Sequence, residues 1–478
     1  MPGSLPTPQV VRFDALGVVD GVGAAFSPGS VLIRRADRVS SVLAVGRTGD
    51  VARHEAGGRA GMGAGRGGGD EVGVVRRPSS ILTPGFVNTH AHLDLTHIGP
   101  RPFDPEGGFV GWIDMVRRGR LVDPQSIAAS VRRGIDLSLA AGVVAVGDIG
   151  GAAGGRPNLT PWRTLRASGL AGVSFLEFFG IGSTQDRAGA AVDQELAEAR
   201  RETGNEPCGV RLGLQPHAPN TVGSRLFRRS VELAKAHGLP LATHLAETME
   251  EREFVARGTG PQRDLLERLG IWDDVILTDL GRGLAPAEHL EPVLREAGRA
   301  ARPFLVAHMN DADDRAIEIL AASRTRVAYC PRASAYFGAE RVFGPHRYRE
   351  MMGAGVLVAL GTDSIINLPK ESAGSAGIGI LDEMRFLHAR GGTDARALLQ
   401  MGTVNGATAL GLDHSGFEFG AGNPIEGLVA VRVVEENQDP PRAVDERDLA
   451  EFLLSARIAV PELLVSNNSR ESSGNSGS

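Results

Sequence analysis

The sequence predicts an α/β protein built on a closed (β/α)8 barrel, with a small β unit formed by the two ends of the chain. Short apolar runs typical of strands alternate with longer amphipathic stretches between residues 81 and 362. Eight such alternations favour the barrel, with a doubly wound open sheet as the weaker alternative. Shorter alternating runs at 9–46 and 427–434, separated by glycine and proline, predict the strands of the second unit.

The same runs define the predicted elements and the division of the chain. Residues 1–80 are assigned to the first part of the small unit, 81–412 to the barrel, 413–464 to the second part and 465–478 to a disordered polar tail. The glycine-rich segment 57–69 is predicted to be a flexible loop, because it lacks the pattern of a phosphate-binding loop. Helices are expected at 224–237, 311–323 and 394–411. The barrel strands are expected at 81–89, 143–149, 170–178, 208–215, 239–244, 303–308, 326–330 and 356–362.

The charge and composition of the chain limit the partners and the cellular location that we expect. The net charge of −6 gives no reason to expect nucleic acid or an anionic membrane as a partner. No apolar run is long enough for a membrane span, and the first residues lack the basic start and apolar core of a signal peptide. Cys208 and Cys330 lie in apolar runs and are expected to be buried thiols of a reducing compartment, so the predicted location is the cytoplasm.

Polar side chains with acid, base or metal-binding chemistry directly follow several predicted strands. His90 and His92 end the first strand on one face, because successive strand residues point to opposite sides. Taken alone, such a pair more often marks a half-exposed strand, and each other histidine could be an ordinary core or surface residue. However, five of the 12 histidines lie at predicted strand ends, where a barrel carries its chemistry. The set comprises His90, His92, His217, His244 and His308, together with Glu247 and Asp363.

These residue types predict a hydrolytic metal site. Three imidazoles and one carboxylate suit a divalent ion, which lowers the pKa of a bound water from about 15.7 towards 7. The predicted ligands are His90, His92, His244 and Asp363, although Asp363 alone could simply cap a helix.

Three further side chains are predicted to act around that ion. Glu247 follows His244 by three residues and is expected to shuttle a proton from the water to the substrate. Its alternative role is a glutamate that favours a helix N-terminus. His308 is expected to orient the attacking oxygen, and His217 is expected to contact the substrate.

The scarcity of lysine predicts how many metal ions bind. Two-metal barrels of this kind are bridged by a carboxylated lysine at the end of strand four, where this chain has Gln215 followed by Pro216 and His217. Lys235 and Lys370 are the only lysines, and neither lies at that position. One metal ion is therefore predicted.

Several segments together resemble a known family. TPGFVNTHAHLD, PHAP, THLAE, VAHMND, CPR and LGTDS, in this order and spacing, resemble the amidohydrolase superfamily, most nearly its single-metal deaminases and chlorohydrolases acting on aminated N-heterocycles. The resemblance covers about residues 81–412, and 416–433 is similar to the family's returning β segment. It implies a barrel with a small β-sandwich made from both chain ends, zinc or sometimes iron as the metal, and frequent homo-oligomers. It also implies the roles already given for His90, His92, His217, His244, Glu247, His308 and Asp363.

The resemblance also directs attention to the residues around the pocket. Trp112 lies where relatives that deaminate nucleoside-like substrates carry a tryptophan that can stack on a base; its alternative is a hydrophobic helix face. Arg332, at the end of strand seven, could meet a carboxylate or carbonyl of the substrate or could be a surface arginine. The chain departs from the family pattern at His308-Met309-Asn310-Asp311 and lacks an asparagine after Cys330-Pro331.

Three functions follow from this interpretation. The leading prediction is a hydrolytic deaminase of an adenosine-like nucleoside, including S-adenosylhomocysteine and aminodeoxyfutalosine, or of guanine or cytosine. The second is hydrolysis of a C–Cl or amide bond at the same site, for which Glu247 is less necessary because chloride leaves more easily than an amine. The third, a non-catalytic binding barrel, is disfavoured because every predicted ligand and Glu247 are present.

Overall fold

A computed structural model describes residues 9–36, 39–61, 72–203, 209–368, 378–434 and 444–466. Two sheets of eight strands organise this part of the chain. In chain order the strands are β1 Val10–Val19, β2 Ala25–Phe26, β3 Gly29–Arg34, β4 Ser40–Arg47, β5 Val72–Pro84, β6 Phe86–Ala91, β7 Val143–Gly150, β8 Ala171–Phe178, β9 Val210–Pro216, β10 Leu241–Leu245, β11 Phe304–His308, β12 Arg326–Tyr329, β13 Val358–Leu360, β14 Pro424–Ile425, β15 Gly427–Val434 and β16 Ile458–Ser466.

Helices fill the connections between the strands. They are α1 Thr48–Gly61, α2 Gly108–Gly119, α3 Pro124–Ala140, α4 Thr160–Arg166, α5 Gln185–Thr203, α6 Ser224–His237, α7 Met249–Arg257, α8 Pro261–Arg268, α9 Ile276–Asp279, α10 Pro286–Arg299, α11 Asp314–Ser323, α12 Pro331–Tyr336, α13 Ala339–Phe343, α14 Tyr348–Gly353, α15 Ile380–Ala389, α16 Ala395–Met401, α17 Val404–Leu410 and α18 Leu449–Ser455. Single 3-10 turns occur at Leu93–Leu95, Ala153–Gly155, Gly182–Thr184, Ile365–Asn367, His414–Phe417 and Glu446–Asp448.

Strands β6 to β13 form the barrel. Each pairs in parallel with the next along the chain, and a bridge between Ala91 and Asp363 joins the last segment to the first. Small and β-branched side chains such as Ala145, Ala242 and Ala328 fill the interior. A larger buried cluster lies between the strands and the surrounding helices. The predicted (β/α)8 barrel is therefore confirmed, and its strand ends meet at one face.

The second sheet unites the two ends of the chain, as predicted. Strand β5 pairs in parallel with β1 and antiparallel with β15, which in turn pairs with β16. Its apolar face includes Phe13, Val31, Leu82 and Leu428, all buried. Strand β15 matches the predicted run 427–434.

The predicted strand 81–89 was wrong in one respect, because it comprises parts of two strands. Ile81 to Pro84 belong to β5 of the second sheet, and the first barrel strand begins at Phe86. Gly85 separates them, and a Cβ there would lie 2.4 Å from Val144 Cγ2, so only glycine lets the chain cross between the sheets. The boundary between the sheets thus lies at Gly85 rather than after residue 80.

Other boundaries also differ from the predictions. The expected helix 394–411 is two helices, α16 and α17, because Thr403 has φ −131° and ψ −94°, and Gly402 O accepts a hydrogen bond from Val87 N. Helix α1 extends to Gly61, so the start of the predicted loop 57–69 is helical, and β16 includes the first two residues of the predicted tail 465–478. Residues 62–69, 467–478 and Cys208 lie outside the described residues, whereas Cys330 is a buried free thiol.

None of the helices in the described part of the chain is long and apolar enough to cross a membrane.

Candidate active site

The seam of the barrel brings the first and last polar strand ends together. Asn88 Nδ2 donates to Thr362 Oγ1 at 2.8 Å, and Thr362 N donates to Asn88 Oδ1 at 3.1 Å. The backbone of His90 accepts hydrogen bonds from Thr362 N and Asp363 N. Residues far apart in the sequence, His90 and Asp363, are therefore held side by side.

The predicted ligands converge at this seam. His92 Nε2 lies 3.3 Å from His244 Nε2 and 3.5 Å from Asp363 Oδ1, and His90 Nε2 lies 3.8 Å from the same carboxylate oxygen. One ligand atom from each of the three histidines falls within 4.8 Å of the others. Asn367 Nδ2 donates to the second oxygen of Asp363 at 2.6 Å, which leaves Oδ1 facing the histidines.

The orientation of His244 is fixed by the residue that follows β9. Its Nδ1 lies 3.0 Å from His217 O. A backbone carbonyl can only accept, so Nδ1 carries the proton and Nε2 is left as a ligand. Gln215 occupies the end of the fourth barrel strand, Lys235 lies exposed on α6, and Lys370 lies outside the described residues.

The backbone around the cluster adopts conformations that non-glycine residues rarely accept. Ala246, His308, Met309 and Asp363 have φ of 54°, 76°, 56° and 58°. Each such conformation costs on the order of 1–3 kcal/mol, and such residues cluster at active sites. A Cβ at Gly361 would lie 2.8 Å from His90 Cβ, so glycine is needed for the close approach of the two strand ends.

The backbone of Glu247, which lines the cavity, is held in place by hydrogen bonds with the side chains of Glu251 and Asn310. The buried carboxylate of Glu251 accepts from Ala246 N at 2.9 Å and from Glu247 N at 2.7 Å. Asn310 Nδ2 donates to Glu247 O at 3.0 Å, and Ser334 Oγ donates to Asn310 Oδ1 at 2.6 Å. The two departures from the family pattern thus contact each other and support the segment that carries Glu247.

The remaining predicted histidines also face this group. His308 Nε2 lies 3.6 Å from Glu247 Oε1, and its ring stacks beside His244 with centroids 5.4 Å apart. His217 lies on the other side of His244, with ring centroids 4.8 Å apart. His308 is nearly inaccessible, whereas a quarter of the His217 side chain is exposed.

Burial determines the protonation of the cluster. It lowers the pKa of His90, His92 and His308 well below 6.5, and the neighbouring imidazoles lower it further. Burial also raises the pKa of Asp363 to about 7 and that of Glu247 well above 4.5, with the charge of Asp363 adding to the second effect. Three neutral imidazoles therefore stand beside two carboxyl groups.

A divalent ion fits this arrangement. Metal ligands must be unprotonated, and burial lowers the pKa of His90, His92 and His244 and so favours their neutral form. The buried Nε2 of His90 has no hydrogen-bond partner in the described part of the chain. Among the described residues, no lysine or arginine pairs with Asp363 or Glu247, so a cation between His90, His92, His244 and Asp363 would supply the missing positive charge.

The cluster opens into a large cavity. Its volume is about 1130 Å³, and it extends between α2, α5 and α8. Trp112 lines the cavity, as expected for a residue that stacks on a base, but it also packs on Phe109 and Phe337, with ring centroids 5.7 Å and 5.2 Å away. Both of the predicted roles of Trp112 are thus compatible with its position.

Arg332 lies neither at the surface nor in the cavity wall. It is 6% exposed, and its Nε donates to Glu383 Oε1 at 2.6 Å, while Nη2 donates to Gly379 O. The predicted contact of Arg332 with the substrate therefore finds no support in this geometry, and the surface alternative is wrong.

We expect Arg332→Met to lower the free energy of unfolding by about 3–5 kcal/mol, because the buried Glu383 carboxyl loses its cationic partner and keeps the hydrogen bond from the backbone N of residue 332. Glu383 is fully buried, so water cannot replace the arginine. Chemical denaturation measures the change. The double variant Arg332→Met/Glu383→Leu is the control and should recover part of the loss. Unchanged stability with a raised KM would instead indicate a role in substrate binding.

Most of the chain, including the barrel and its polar strand ends, matches one known protein family. The family model described as "Amidohydrolase family" matches residues 81–421. The chain belongs to the amidohydrolase family. Among curated relatives, this amidohydrolase is 30% identical over 404 residues to an aminodeoxyfutalosine deaminase of Deinococcus radiodurans, covering 82% of this chain and 83% of the relative. It is 28% identical over 384 residues to a 5-methylthioadenosine/S-adenosylhomocysteine deaminase of Natronomonas pharaonis, covering 79% and 77%.

Solved structures resemble the amidohydrolase along nearly its whole length. Aminofutalosine deaminase of Helicobacter pylori has a TM-score of 0.69 at 18% identity, covering 96% of this chain and 99% of that one. An adenosine deaminase of Xanthomonas campestris with bound zinc has a TM-score of 0.63 at 19% identity, covering 95% and 90%. A mutant atrazine chlorohydrolase of Arthrobacter aurescens, complexed with zinc and atraton, has a TM-score of 0.65 at 17% identity, covering 96% and 94%.

A buried ion cluster in the cavity wall of this amidohydrolase was missed by sequence reasoning. Arg120 Nη1 donates to Glu177 Oε2 at 3.1 Å, and Arg120 Nε lies 3.3 Å from Asp94 Oδ2. Burial opposes ionisation of Glu177, but Arg120 together with His217, His92 and His244 outweighs this effect and lowers the pKa of Glu177 to about 2. Glu177 lies next to last in β8, so the rule of strand ends, applied to strand three, would have indicated it.

Proposed function

We propose that this amidohydrolase hydrolytically deaminates an adenine-type nucleoside. The observation that carries the proposal is Glu247, a carboxyl group with a raised pKa that lies 3.6 Å from His308 at the floor of a cavity of about 1130 Å³. A proton carrier at this point suits a reaction whose leaving group is a poor one. The deaminase names of the two curated relatives support the same reaction class.

In the proposed reaction, the oxygen of water adds to the ring carbon that bears the amine, and the C–N bond then breaks to release ammonia. His90, His92, His244 and Asp363 would hold the divalent ion, which acidifies water and favours its attack. Glu247 takes one proton of the attacking water at its carboxylate and delivers it to the ring nitrogen, and it then passes the second proton of the same water to the departing amine, which leaves as ammonia. Asn310 and Glu251 keep the backbone of Glu247 in place during both transfers.

The other polar groups orient the reactants. His308 has Nε2 beside the Glu247 carboxyl and would align the attacking oxygen. His217 faces the cavity and would bind the substrate. Asp363 would act both as a ligand and as the first acceptor of the second proton of the water, since Asn367 holds its Oδ2 and leaves Oδ1 directed at the histidines.

Hydrolysis of a C–Cl bond is the second candidate, because the fold is also that of an atrazine chlorohydrolase. Chloride leaves without a proton, whereas ammonia requires one. Glu247, held in place beside His308, therefore favours deamination. Zinc is the metal we propose, since three imidazoles and one carboxylate match its preferred ligands.

Release of ammonia by purified protein of known metal content tests this proposal. The substrates would be adenosine, S-adenosylhomocysteine, aminodeoxyfutalosine, guanine, cytosine and a melamine-type triazine, with a chlorotriazine for release of chloride. We expect turnover of an adenine nucleoside at one metal ion per chain. Release of chloride without ammonia would favour the second candidate, and silence throughout with metal bound would contradict the proposal.

We expect Trp112→Ala to lower kcat/KM for a nucleoside roughly 5- to 150-fold, the equivalent of about 1–3 kcal/mol for stacking of one base on an aromatic ring. A small amide substrate would lose much less, because it has no base to stack. Steady-state kinetics on both substrates measures the difference. An equal loss for both would show that Trp112 acts only through packing on Phe109 and Phe337.

A further inference from the structure

The carboxylate of Glu177 has one occupied and one free oxygen. Its Oε2 accepts hydrogen bonds from Arg120 Nη1 at 3.1 Å and from Ala152 N at 3.2 Å. Its Oε1 accepts none from the described residues, and Glu177 lines the cavity. A charged acceptor in a buried wall is costly without a donor, so Oε1 is suited to receive one from a ligand.

His217 provides a second acceptor beside it. Thr221 Oγ1 donates to Ala218 O at 3.2 Å and lies 2.7 Å from His217 Nδ1. Since the hydroxyl proton is used, Nδ1 must donate to Thr221, and Nε2 of the neutral ring is left as an acceptor. This Nε2 lies 4.0 Å from Glu177 Oε1, and both residues face the same cavity.

We propose that Glu177 and His217 bind two adjacent hydroxyl groups of the sugar of a nucleoside substrate, each acceptor taking one O–H donor. The inference rests on the proposed deaminase function and specifies its substrate as a ribonucleoside. Arg120 is a positioning residue, because it orients the carboxylate through Oε2 and is itself held by Asp94.

In an adenine nucleoside, the sugar provides the hydrogen-bond donors that can contact these two acceptors. The adenine ring presents acceptors at its ring nitrogens, and its one amine is the leaving group, which must face Glu247. The unreacted donors of the molecule are thus the hydroxyls of the ribose. Two neighbouring hydroxyls match two acceptors that are 4.0 Å apart.

The variant Glu177→Gln is an informative test because two neighbouring donors fix the orientation of the new amide group. Arg120 and Ala152 donate to the Oε2 position, so the amide oxygen must lie there and the NH2 group must face the cavity. An acceptor is thereby exchanged for a donor at the same place. Glu195→Gln is the matched control, since Glu195 also lines the cavity but has no part in this pair.

Steady-state kinetics compares kcat/KM for adenosine and 2′,3′-dideoxyadenosine. Calorimetry compares the binding of inosine and 2′,3′-dideoxyinosine. In the unaltered enzyme we expect the ribose forms to be preferred at least about tenfold, as for hydrogen bonds to a charged group. The preference should fall markedly in Glu177→Gln, where the charged acceptor is lost and the His217 contact remains, and it should persist in full in Glu195→Gln.

The two assays separate the possible failures. Deamination without a preference in the unaltered enzyme overturns the hydroxyl site and leaves the deaminase intact, even if Glu177→Gln fails to fold. A binding preference that Glu177→Gln weakens, without any deamination, overturns the proposed function and supports the hydroxyl site. A preference that Glu177→Gln retains also overturns the site, and absence of binding and turnover overturns both proposals.

Discussion

Replacement of Glu247 by glutamine is expected to lower kcat roughly 10²–10⁴-fold, the usual contribution of a general acid–base residue. The amide keeps the size of the side chain and, through Glu251 and Asn310, the position of its backbone, but it cannot carry a proton between water and the substrate. Metal content and KM should change little. Steady-state kinetics and metal analysis of the same samples measure all three quantities.

Glu232→Gln is the matched control for this variant. Glu232 lies exposed on α6 and is not part of the cavity wall. Its replacement should leave kcat unaltered. If Glu247→Gln retained full activity with one metal ion per chain, proton transfer would have to use another group, and our assignment of Glu247 would be wrong.

The second large effect is expected for His92→Ala, which should lose both bound metal and activity. Loss of an outer partner of a metal ligand already costs about 10–100-fold in affinity, and loss of the ligand itself should cost more. His92 Nε2 is within 3.5 Å of both His244 Nε2 and Asp363 Oδ1, so its removal opens the centre of the cluster. Metal analysis after dialysis measures the loss, and the thermal stabilisation given by added zinc should also disappear.

His237→Ala serves as the control for a histidine outside the cluster. His237 is the exposed last residue of α6 and should not affect metal content. Full metal occupancy in His92→Ala would show that the ion is held elsewhere, for example by the group of Glu177, His217 and His244.

The positions of the predicted ligands could be found from the sequence because they obey a simple rule of the fold. Each follows an apolar run that became a barrel strand, and the carboxyl ends of parallel strands meet at one face. His90, His92, His244 and Asp363 therefore converge in space, although Asp363 is far from the others in sequence. The alternation of strands and helices likewise sufficed for the barrel.

Contacts between segments that are distant in the chain could not be predicted from the sequence in the same way. Nothing local in the sequence shows that Asn310 and Ser334 bond to each other and support Glu247, or that Arg332 turns inward to Glu383. The apolar run before His90 gave no sign that Gly85 divides it between two sheets, since both parts are buried. Such features depend on which surfaces meet after folding.

The central claim is hydrolytic deamination, and turnover in ¹⁸O-labelled water tests it most directly. Ammonia would be measured enzymatically, and the product nucleoside would be analysed by mass spectrometry. We predict one ammonia per nucleoside consumed and one ¹⁸O atom on the ring carbon that bore the amine. Consumption of a substrate without ammonia, or with the amine retained in the product, would contradict the account.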